Sequence, residues 1–297
     1  MIKLFSPDYE LQLCPDIGGA VARLRWRGRD ILRPVTDEDL ASGIARRLGM
    51  FPLMPYSNRV EDAVLLARTG ARKLCRNVEG ELHSLHGFGW LRAWQVVESS
   101  RDWAVLTLAH EADADWPYPC RARQTISLVD AIAYFELRLQ NTGTEEMPAG
   151  LGFHPYFPAQ PDTHLKTGWR QVWSMDERKL PLELVPVPPQ ADFSKARPIA
   201  GWHSDHCFTG WNGEATLSYP THVVRVTSDP DVSRLVCFVP DDGRAIIALE
   251  PVTHINNAVA LEARGVRDTG ILHLAPGEEM RLGITISVHA SCSATPP

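Results

Sequence analysis

The sequence has 297 residues, of which 44% are hydrophobic and 22% charged, and its formal net charge is −6. This composition predicts a globular protein with a large core, and the lack of a Lys/Arg run argues against a nucleic-acid partner. No apolar stretch reaches the roughly 18 residues that cross a bilayer, and MIKLFSPDYE lacks the apolar core of a signal peptide.

The first predicted element is a helix over 37–48 (DEDLASGIARRL), with acidic residues in its first turn and two arginines in its last. Beyond it, apolar residues recur with a period of two, which is typical of half-buried antiparallel strands. The clearest predicted strands are 103–110, 123–128, 132–139 and 281–289.

Turn signals divide the rest of the chain. RLVCFV (234–239) and AIIAL (245–249) predict a hairpin, and the proline-rich segments 155–162 and 181–189 predict surface loops. Neither a composition shift nor an internal repeat marks a domain boundary. We therefore predict one all-β domain over 1–297, with two antiparallel sheets packed face to face and few short helices.

The six cysteines are scattered without a C-x-x-C pair, so their spacing favours neither a metal knuckle nor a disulfide framework. We expect free and mostly buried thiols in a reducing compartment, and hence a cytoplasmic protein. These cysteines are Cys14, Cys75, Cys120, Cys207, Cys237 and Cys292.

Two early segments combine polar donors with glycine, proline and aromatic residues. In PLMPYSNRV (52–60), Asn58 and Arg59 offer amide and guanidinium donors to hydroxyl oxygens, or else form a capped turn with a surface arginine. In HSLHGFGW (83–90), His86 is a binding or a structural histidine, and Trp90 would supply an aromatic platform. His83 and His86 are three residues apart, as metal ligands on a helix can be, but Gly-x-Gly argues against a helix here.

His154 and Glu250 are the candidates for acid–base chemistry. In GLGFHPYF (150–157), His154 is either a packed structural residue or a proton donor in a cleft walled by Tyr156 and Phe157. In ALEPVTHINNA (248–258), Glu250 ends an apolar strand. Partial desolvation is expected to raise its pKa and suit it to act as a general base near neutrality. A surface glutamate at a strand end is the alternative.

Asp205 begins DHCF (205–208), which lies between Trp202 and Trp211. A carboxylate among aromatic rings is a common arrangement for holding a sugar. Activation of Cys207 by His206 is not expected, because neighbours on a strand point to opposite faces. No dinucleotide glycine motif, P-loop or H-E-x-x-H accompanies these residues, so we expect chemistry without a cofactor or a metal.

The order of these motifs resembles that of the aldose 1-epimerases, or galactose mutarotases, over about residues 10–290. The motifs most specific to this family are GFHPYF and the late Glu-Pro. PYSNRV and LHGFGW are moderately specific, and Asp205-His-Cys-Phe is less specific. The best-known galactose enzymes have Leu-His-Gly-Gly where LHGFGW stands, and a Gly-Arg-rich form in place of Met-Pro-Tyr-Ser. This difference leaves the preferred sugar open.

The resemblance implies a β-supersandwich and the cofactor-free interconversion of the α and β anomers of a free aldose. By position, Glu250 matches the family's catalytic base and His154 its general acid at the ring oxygen. His86, Asp205 and Arg59 match positions that hold the sugar and help to polarise it. We expect the acid and the base on opposite sides of the sugar ring, with His154 appreciably protonated near neutrality.

Three other functions remain open at this point. A sugar-binding module without activity need not keep both His154 and Glu250, and this chain keeps both. An epimerase of hexose 6-phosphates would need clustered cations, and Arg59 is the only cation within the motifs. A metal-dependent hydrolase or lyase would use irregularly spaced histidines, namely His83, His86, His154 and His206. As partner we expect a small-molecule aldose, without nucleic acid or membrane, and the chain as a monomer or homodimer.

Overall fold

The computed structural model describes residues 1–291, and strands dominate it. The strands are β1 (Ile2–Phe5), β2 (Tyr9–Cys14), β3 (Ala20–Trp26), β4 (Arg29–Asp30), β5 (Met50–Leu53), β6 (Arg59–Val60), β7 (Val64–Ala67), β8 (Gly70–Lys73), β9 (Ser84–Leu85), β10 (Gln95–Ser99), β11 (Trp103–His110), β12 (Cys120–Val129), β13 (Ile132–Asn141), β14 (Met147–Ala149), β15 (Gly152–Pro158), β16 (His164–Thr167), β17 (Gln171–Met175), β18 (Pro181–Pro186), β19 (Arg197–Pro198), β20 (Ser204–Thr209), β21 (Glu214–Ser218), β22 (His222–Ser228), β23 (Arg234–Val239), β24 (Ile246–Val252), β25 (Leu272–Leu274) and β26 (Glu279–Ala290). The helices are α1 (Asp37–Ala41) and α2 (Ala258–Ala263), with single 3-10 turns at Ala45–Arg47, Glu61–Ala63, Gly89–Leu91 and Pro189–Ala191.

Two large antiparallel sheets organise these strands. The eleven-stranded sheet has the order β1-β2-β3-β5-β15-β24-β23-β20-β17-β18, with β4 paired to β3. The nine-stranded sheet has the order β10-β11-β12-β13-β26-β22-β21-β16-β19, and the pairs β6-β9, β7-β8 and β14-β25 stand apart. The predicted all-β architecture, with large antiparallel sheets and few short helices, is confirmed, as is the hairpin of β23 and β24.

Both large sheets contribute to a single hydrophobic core. Phe153 of β15 and Phe135 of β13 meet across it, with ring centroids 6.2 Å apart. Alternation on β13 follows the predicted pattern, since Phe135 and Leu137 are buried while Glu136 between them is half-buried. Burial of such an apolar side chain contributes about 1.5–3 kcal/mol, so the sequence pattern determines which face of the strand turns inward.

The predicted helix over 37–48 is divided. α1 ends at Ala41, and a separate 3-10 turn follows at Ala45–Arg47, because the chain reverses at Gly43 with a φ of +65°. Thr36 caps α1 through reciprocal hydrogen bonds with Asp39, which forms a capping box. The prediction of one continuous helix is therefore wrong.

Two predicted proline-rich loops contain strands. Residues 155–158 continue β15 in the middle of the eleven-stranded sheet, and Pro181–Pro186 forms β18 at its edge. Proline is tolerated at a sheet edge because its missing N–H leaves no ladder bond unmade there. The loop prediction is wrong for these two stretches.

The described cysteines are free thiols, and only Cys75 among them is exposed. The prediction of mostly buried thiols is confirmed for these residues, whereas Cys292 lies outside the described part of the chain. Neither helix within residues 1–291 has the length or the apolarity that a membrane crossing requires.

Candidate active site

The central strand β15 places His154 beside Glu250. β15 and β24 are antiparallel, and their register pairs Gly152 with Val252, so that His154 lies opposite Glu250. Directly opposed residues point to the same face of a sheet. Nε2 of His154 lies 3.1 Å from Oε1 of Glu250, and both side chains are almost fully buried. The expectation that acid and base lie on opposite sides of a sugar is wrong, because they are side by side.

Aromatic rings fix the plane of the His154 imidazole. Phe51 on β5 is its cross-strand partner on the other side, and the two rings stack at 4.7 Å with an interplanar angle of 22°. Tyr156 lies 4.4 Å from the same imidazole. The alternation of β15 turns His154 and Tyr156 toward this site, while Phe157 is fully buried in the hydrophobic core and does not wall the cleft.

Burial drives the His154–Glu250 pair toward its neutral form. It raises the pKa of Glu250 well above its usual value, and the nearby charge of Asp205 adds to this rise. Burial lowers the pKa of His154, and the Arg33 guanidinium adds to the effect. The predicted rise in the pKa of Glu250 is confirmed, whereas the expectation that His154 is appreciably protonated near neutrality is wrong.

The neutral pair nevertheless retains one transferable proton. A carboxylic acid beside a neutral imidazole holds as many protons as a carboxylate beside an imidazolium. The two forms differ only in which side of the 3.1 Å gap carries the proton. The site can therefore exchange a proton with a ligand without any change in its total charge.

His86 and Asn58 are locked together by reciprocal hydrogen bonds. The backbone N–H of His86 donates to the carbonyl of Asn58 (2.8 Å), and the backbone N–H of Asn58 donates to Nδ1 of His86 (3.0 Å). Both residues have a φ of +59°, a left-handed conformation that non-glycine residues adopt at a cost. Burial lowers the pKa of His86, so a neutral ring with its hydrogen on Nε2 is favoured.

Gly87 makes this arrangement possible. A Cβ at this position would lie 2.0 Å from the carbonyl oxygen of Met54, and the φ of Gly87 is +66°. Only glycine lets the backbone after His86 approach the end of β5 so closely. This is the structural reason for a glycine in LHGFGW.

Arg59 joins two carboxylates at one end of the site. Its Nε donates to Glu81 (3.2 Å), and its Nη1 lies 3.7 Å from Oδ2 of Asp205 and donates to Oδ1 of Asn58 (3.2 Å). Nζ of Lys179 lies 3.9 Å from the same oxygen, Oδ2 of Asp205. Arg59 is buried, so these contacts hold its guanidinium in one orientation.

The tryptophans of the predicted site lie elsewhere. Trp90 is buried behind Phe51, with ring centroids 5.9 Å apart, and does not line the cavity. Trp202 packs on Phe193 at 4.6 Å, and Trp211 donates from Nε1 to Thr167. Trp90 and Trp211 are core side chains, Trp202 is half-buried against the core, and none forms the expected aromatic platform.

The remaining histidine candidates are structural or isolated. Nδ1 of His83 accepts from the backbone N–H of Asp62, and its Nε2 donates to the carbonyl of Arg178. Within residues 1–291, no group of three or more metal-ligating side chains is placed to hold an ion. Cys207 is fully buried and its raised pKa, about 12, reflects that burial, so His206 does not activate it.

The remaining candidate residues surround one cavity of about 580 Å³, within the usual range for small-molecule sites. From the predicted set, the cavity walls include Asn58, Arg59, His86, His154, Asp205 and Glu250. The row Tyr156, Ala248, Phe238 and Asp205 crosses four adjacent strands in register. Three members of this row line the cavity, namely Tyr156, Phe238 and Asp205.

Sequence reasoning missed Phe51 and most of the cations of the cavity. The cavity is also lined by Arg33, Arg46, Arg47, Lys179 and Arg244, so Arg59 is not its only cation. In the sequence, Arg46 and Arg47 were interpreted only as the end of a predicted helix. The signal that could have identified Phe51 is a short strand in FPLMP, which its two prolines made difficult to recognise. Strand pairing, which a single sequence does not display, brings these side chains together.

Fold and site together define a galactose mutarotase-like β-sandwich with an imidazole–carboxylate pair in an open cavity. The chain belongs to the aldose 1-epimerase family, because the family model described as Aldose 1-epimerase matches residues 6–287.

Relatives and solved structures agree with this membership. The chain is 30% identical to YphB, an uncharacterized protein of Escherichia coli K12, over 283 residues that cover 92% of this chain and 93% of YphB. A crystal structure from E. coli K12, proposed to be an aldose 1-epimerase, has a TM-score of 0.87 at 28% identity, covering 97% of this chain and 98% of that one. A galactose mutarotase-like protein from Clostridium acetobutylicum has a TM-score of 0.86 at 19% identity, covering 97% and 95%, and shows the fold alone.

Proposed function

We propose that this protein is an aldose 1-epimerase, an isomerase that interconverts the α and β anomers of a free aldose by acid–base catalysis without a cofactor. The observation that carries the proposal is the 3.1 Å approach of His154 to Glu250 at the floor of a cavity of sugar-accommodating size. Family membership supports the same reaction.

The side-by-side geometry suits the two oxygens that react. The C1 hydroxyl oxygen and the ring oxygen O5 are bonded to the same carbon, so a base and an acid in contact with each other reach both. Glu250 as a carboxylate takes the proton of the C1 hydroxyl, and His154 as an imidazolium delivers one to O5. The C1–O5 bond then breaks and leaves an open-chain aldehyde.

Rotation about C1–C2 presents the other carbonyl face, and ring closure reverses both transfers. Ring opening converts the pair from carboxylate and imidazolium to carboxylic acid and imidazole, which is the form that burial favours. The protein therefore stabilises the pair in the state that accompanies the open-chain sugar. Each positioned proton transfer is worth about 10²–10⁴ in rate.

The surrounding polar groups would hold the sugar. His86 is neutral and accepts a hydrogen bond at Nδ1 from Asn58, and its Nε2–H, which has no hydrogen-bond acceptor among residues 1–291, can donate to a hydroxyl group. Arg59 and Asp205 together offer donors and an acceptor at the same end of the cavity. In this proposal Asn58 serves chiefly to position His86 and Arg59.

Polarimetry of freshly dissolved α-glucose and α-galactose tests the reaction. We expect the wild-type protein to accelerate the change in rotation and the His154→Ala variant to lose at least about two orders of magnitude. His289→Ala, which removes an exposed histidine on β26, is the matched control. Sugar binding without any acceleration by the wild type would instead support a non-catalytic binding module.

We also propose a cytoplasmic location, a single domain and a monomeric or homodimeric state. Cell fractionation tests the location, limited proteolysis tests the domain, and analytical ultracentrifugation tests the assembly.

A further inference from the structure

The cavity is strongly cationic at one end, in a protein whose net charge is −6. Its acidic wall residues Glu81 and Asp205 lie with Arg59 and Lys179, so charges balance there. Around Tyr156 the balance is different. The arginines of that region form a group that we call the arginine cluster, made of Arg33, Arg46, Arg47 and Arg244. The acidic cavity-wall residues of the same region are Asp39 and the buried Glu250, whose raised pKa favours its neutral form.

The arginine cluster adjoins the acid–base pair. The Arg33 guanidinium lies 4.3 Å from the ring centroid of Tyr156, whose ring is in turn 4.4 Å from His154. Arg33 also holds the next segment in place, because its Nε donates to the carbonyl of Leu48 and its Nη2 to that of Arg46. The cluster is thus one aromatic residue away from the catalytic imidazole.

Three of these guanidinium groups make no close ion pair in the described part of the chain, and Asp39 acts on Arg33 and Arg47 only from a distance greater than 4.0 Å. Within residues 1–291, Arg33, Arg46 and Arg47 make no ion pair within 4.0 Å, and the side chains of Arg46 and Arg47 make no hydrogen bond. Asp39 is engaged in capping α1 through Thr36, and Arg244 pairs with Asp242. Like charges gathered around a cavity are unfavourable unless an anion joins them.

We propose that the natural substrate is an aldose that carries an oxyanion away from C1, and that the arginine cluster binds this group. The inference rests on the proposed epimerase function and narrows its substrate class. Guanidinium forks match the oxygens of phosphate, sulfate and carboxylate groups, which they bind by paired, charge-assisted hydrogen bonds. A neutral hexose would leave Arg46 and Arg47 without a close counter-charge.

The same cations attract the substrate before it binds. A cavity lined by one sign of charge raises the association rate of an oppositely charged ligand, and salt screens this attraction. The kcat/KM for an anionic sugar should therefore fall as ionic strength rises, whereas that for glucose should not.

The test compares four sugars that share one ring: glucose, glucose 6-phosphate, glucose 6-sulfate and glucuronate. Anomer exchange is measured by NMR for each sugar with the wild type and with the Arg46→Gln/Arg47→Gln double variant. Both residues are exposed, so folding should be preserved. Arg121→Gln/Arg123→Gln on β12 removes the same charge from exposed positions and serves as the control.

We expect kcat/KM for at least one anionic sugar to exceed that for glucose, and the double variant to lower it by about tenfold or more relative to glucose. The ranking of phosphate, sulfate and carboxylate identifies the oxyanion. Glucose faster than all three anionic sugars overturns the inference and leaves the epimerase proposal intact.

Failure to accelerate any of the four sugars would overturn the epimerase proposal itself for these hexoses. The inference is then decided by calorimetry with the same four sugars. Tighter binding of an anionic sugar than of glucose, lost in the Arg46→Gln/Arg47→Gln variant, supports the inference. Equal binding of all four contradicts it.

Discussion

Replacing Glu250 by glutamine separates the cost of burying this carboxyl group from its chemical role. Glu250 is 1% exposed, and burial raises its pKa well above the ordinary value of 4.5. Glutamine has almost the same shape but does not ionise. The difference in unfolding free energy between variant and wild type therefore isolates the titration of this one group.

The sign of the change in stability with pH depends on whether the folded or the unfolded state binds the proton of Glu250. Above pH 4.5 the carboxyl group ionises in the unfolded chain but stays protonated in the folded protein. The unfolded state then binds fewer protons, so rising pH destabilises the wild type. The loss is about 1.4 kcal/mol per pH unit and continues up to the folded-state pKa of Glu250.

Urea unfolding at a series of pH values, followed by tryptophan fluorescence, measures this difference. We expect Glu250→Gln to gain stability relative to wild type as pH rises from 4.5, although it loses activity. Glu262→Gln is a control of opposite sign, and its stability relative to wild type should change below pH 4.5 and stay nearly constant above it. Burial acts to raise the pKa of Glu262, but hydrogen bonds from His273 and Arg68 outweigh it and lower that pKa. The reasoning would be refuted if the unfolding free energy of Glu250→Gln, relative to wild type, stayed constant or fell as pH rises.

Two further substitutions test the parts that support the pair. The charge of Asp205 raises the pKa of Glu250, so Asp205→Asn should shift to lower pH the basic limb of the pH–rate profile, where the pair loses its transferable proton; an unmoved basic limb would contradict this coupling. Gly87→Ala places a Cβ 2.0 Å from the Met54 carbonyl, and we expect a loss of about 1–3 kcal/mol in urea unfolding together with a raised KM, because His86 moves. Wild-type stability in Gly87→Ala would show that the backbone yields without strain.

Period-two patterning was enough to predict the architecture. The strands β11 and β13 begin as predicted, and on β13 the buried apolar residues alternate along the whole strand. α2 was missed, since AVALEA follows directly on a motif rich in polar residues and is only six residues long. β18 and the second half of β15 were predicted as loops because they contain proline, which has a low strand propensity. Pairing within the assembled sheet outweighs this local preference.

The sequence predicted the site residues that belong to recognisable motifs. It did not predict the contacts that depend on the register between strands. His154 and Glu250 stand out in the sequence as polar residues within apolar runs. Their contact depends on the pairing of β15 with β24, which lie about a hundred residues apart. The proton distribution within the pair follows from full burial, and burial is a property of the assembled sheets rather than of either motif.

The central claim is that His154 and Glu250 act as one unit, and a double-mutant cycle tests it most directly. The rate of anomer exchange is measured by NMR for wild type, His154→Ala, Glu250→Gln and the double variant on the best substrate. We predict that each single variant loses at least about a hundredfold and that the double variant loses little more, because neither residue moves the proton alone. Single variants that retain the wild-type rate, or losses that multiply in the double variant, would contradict the account.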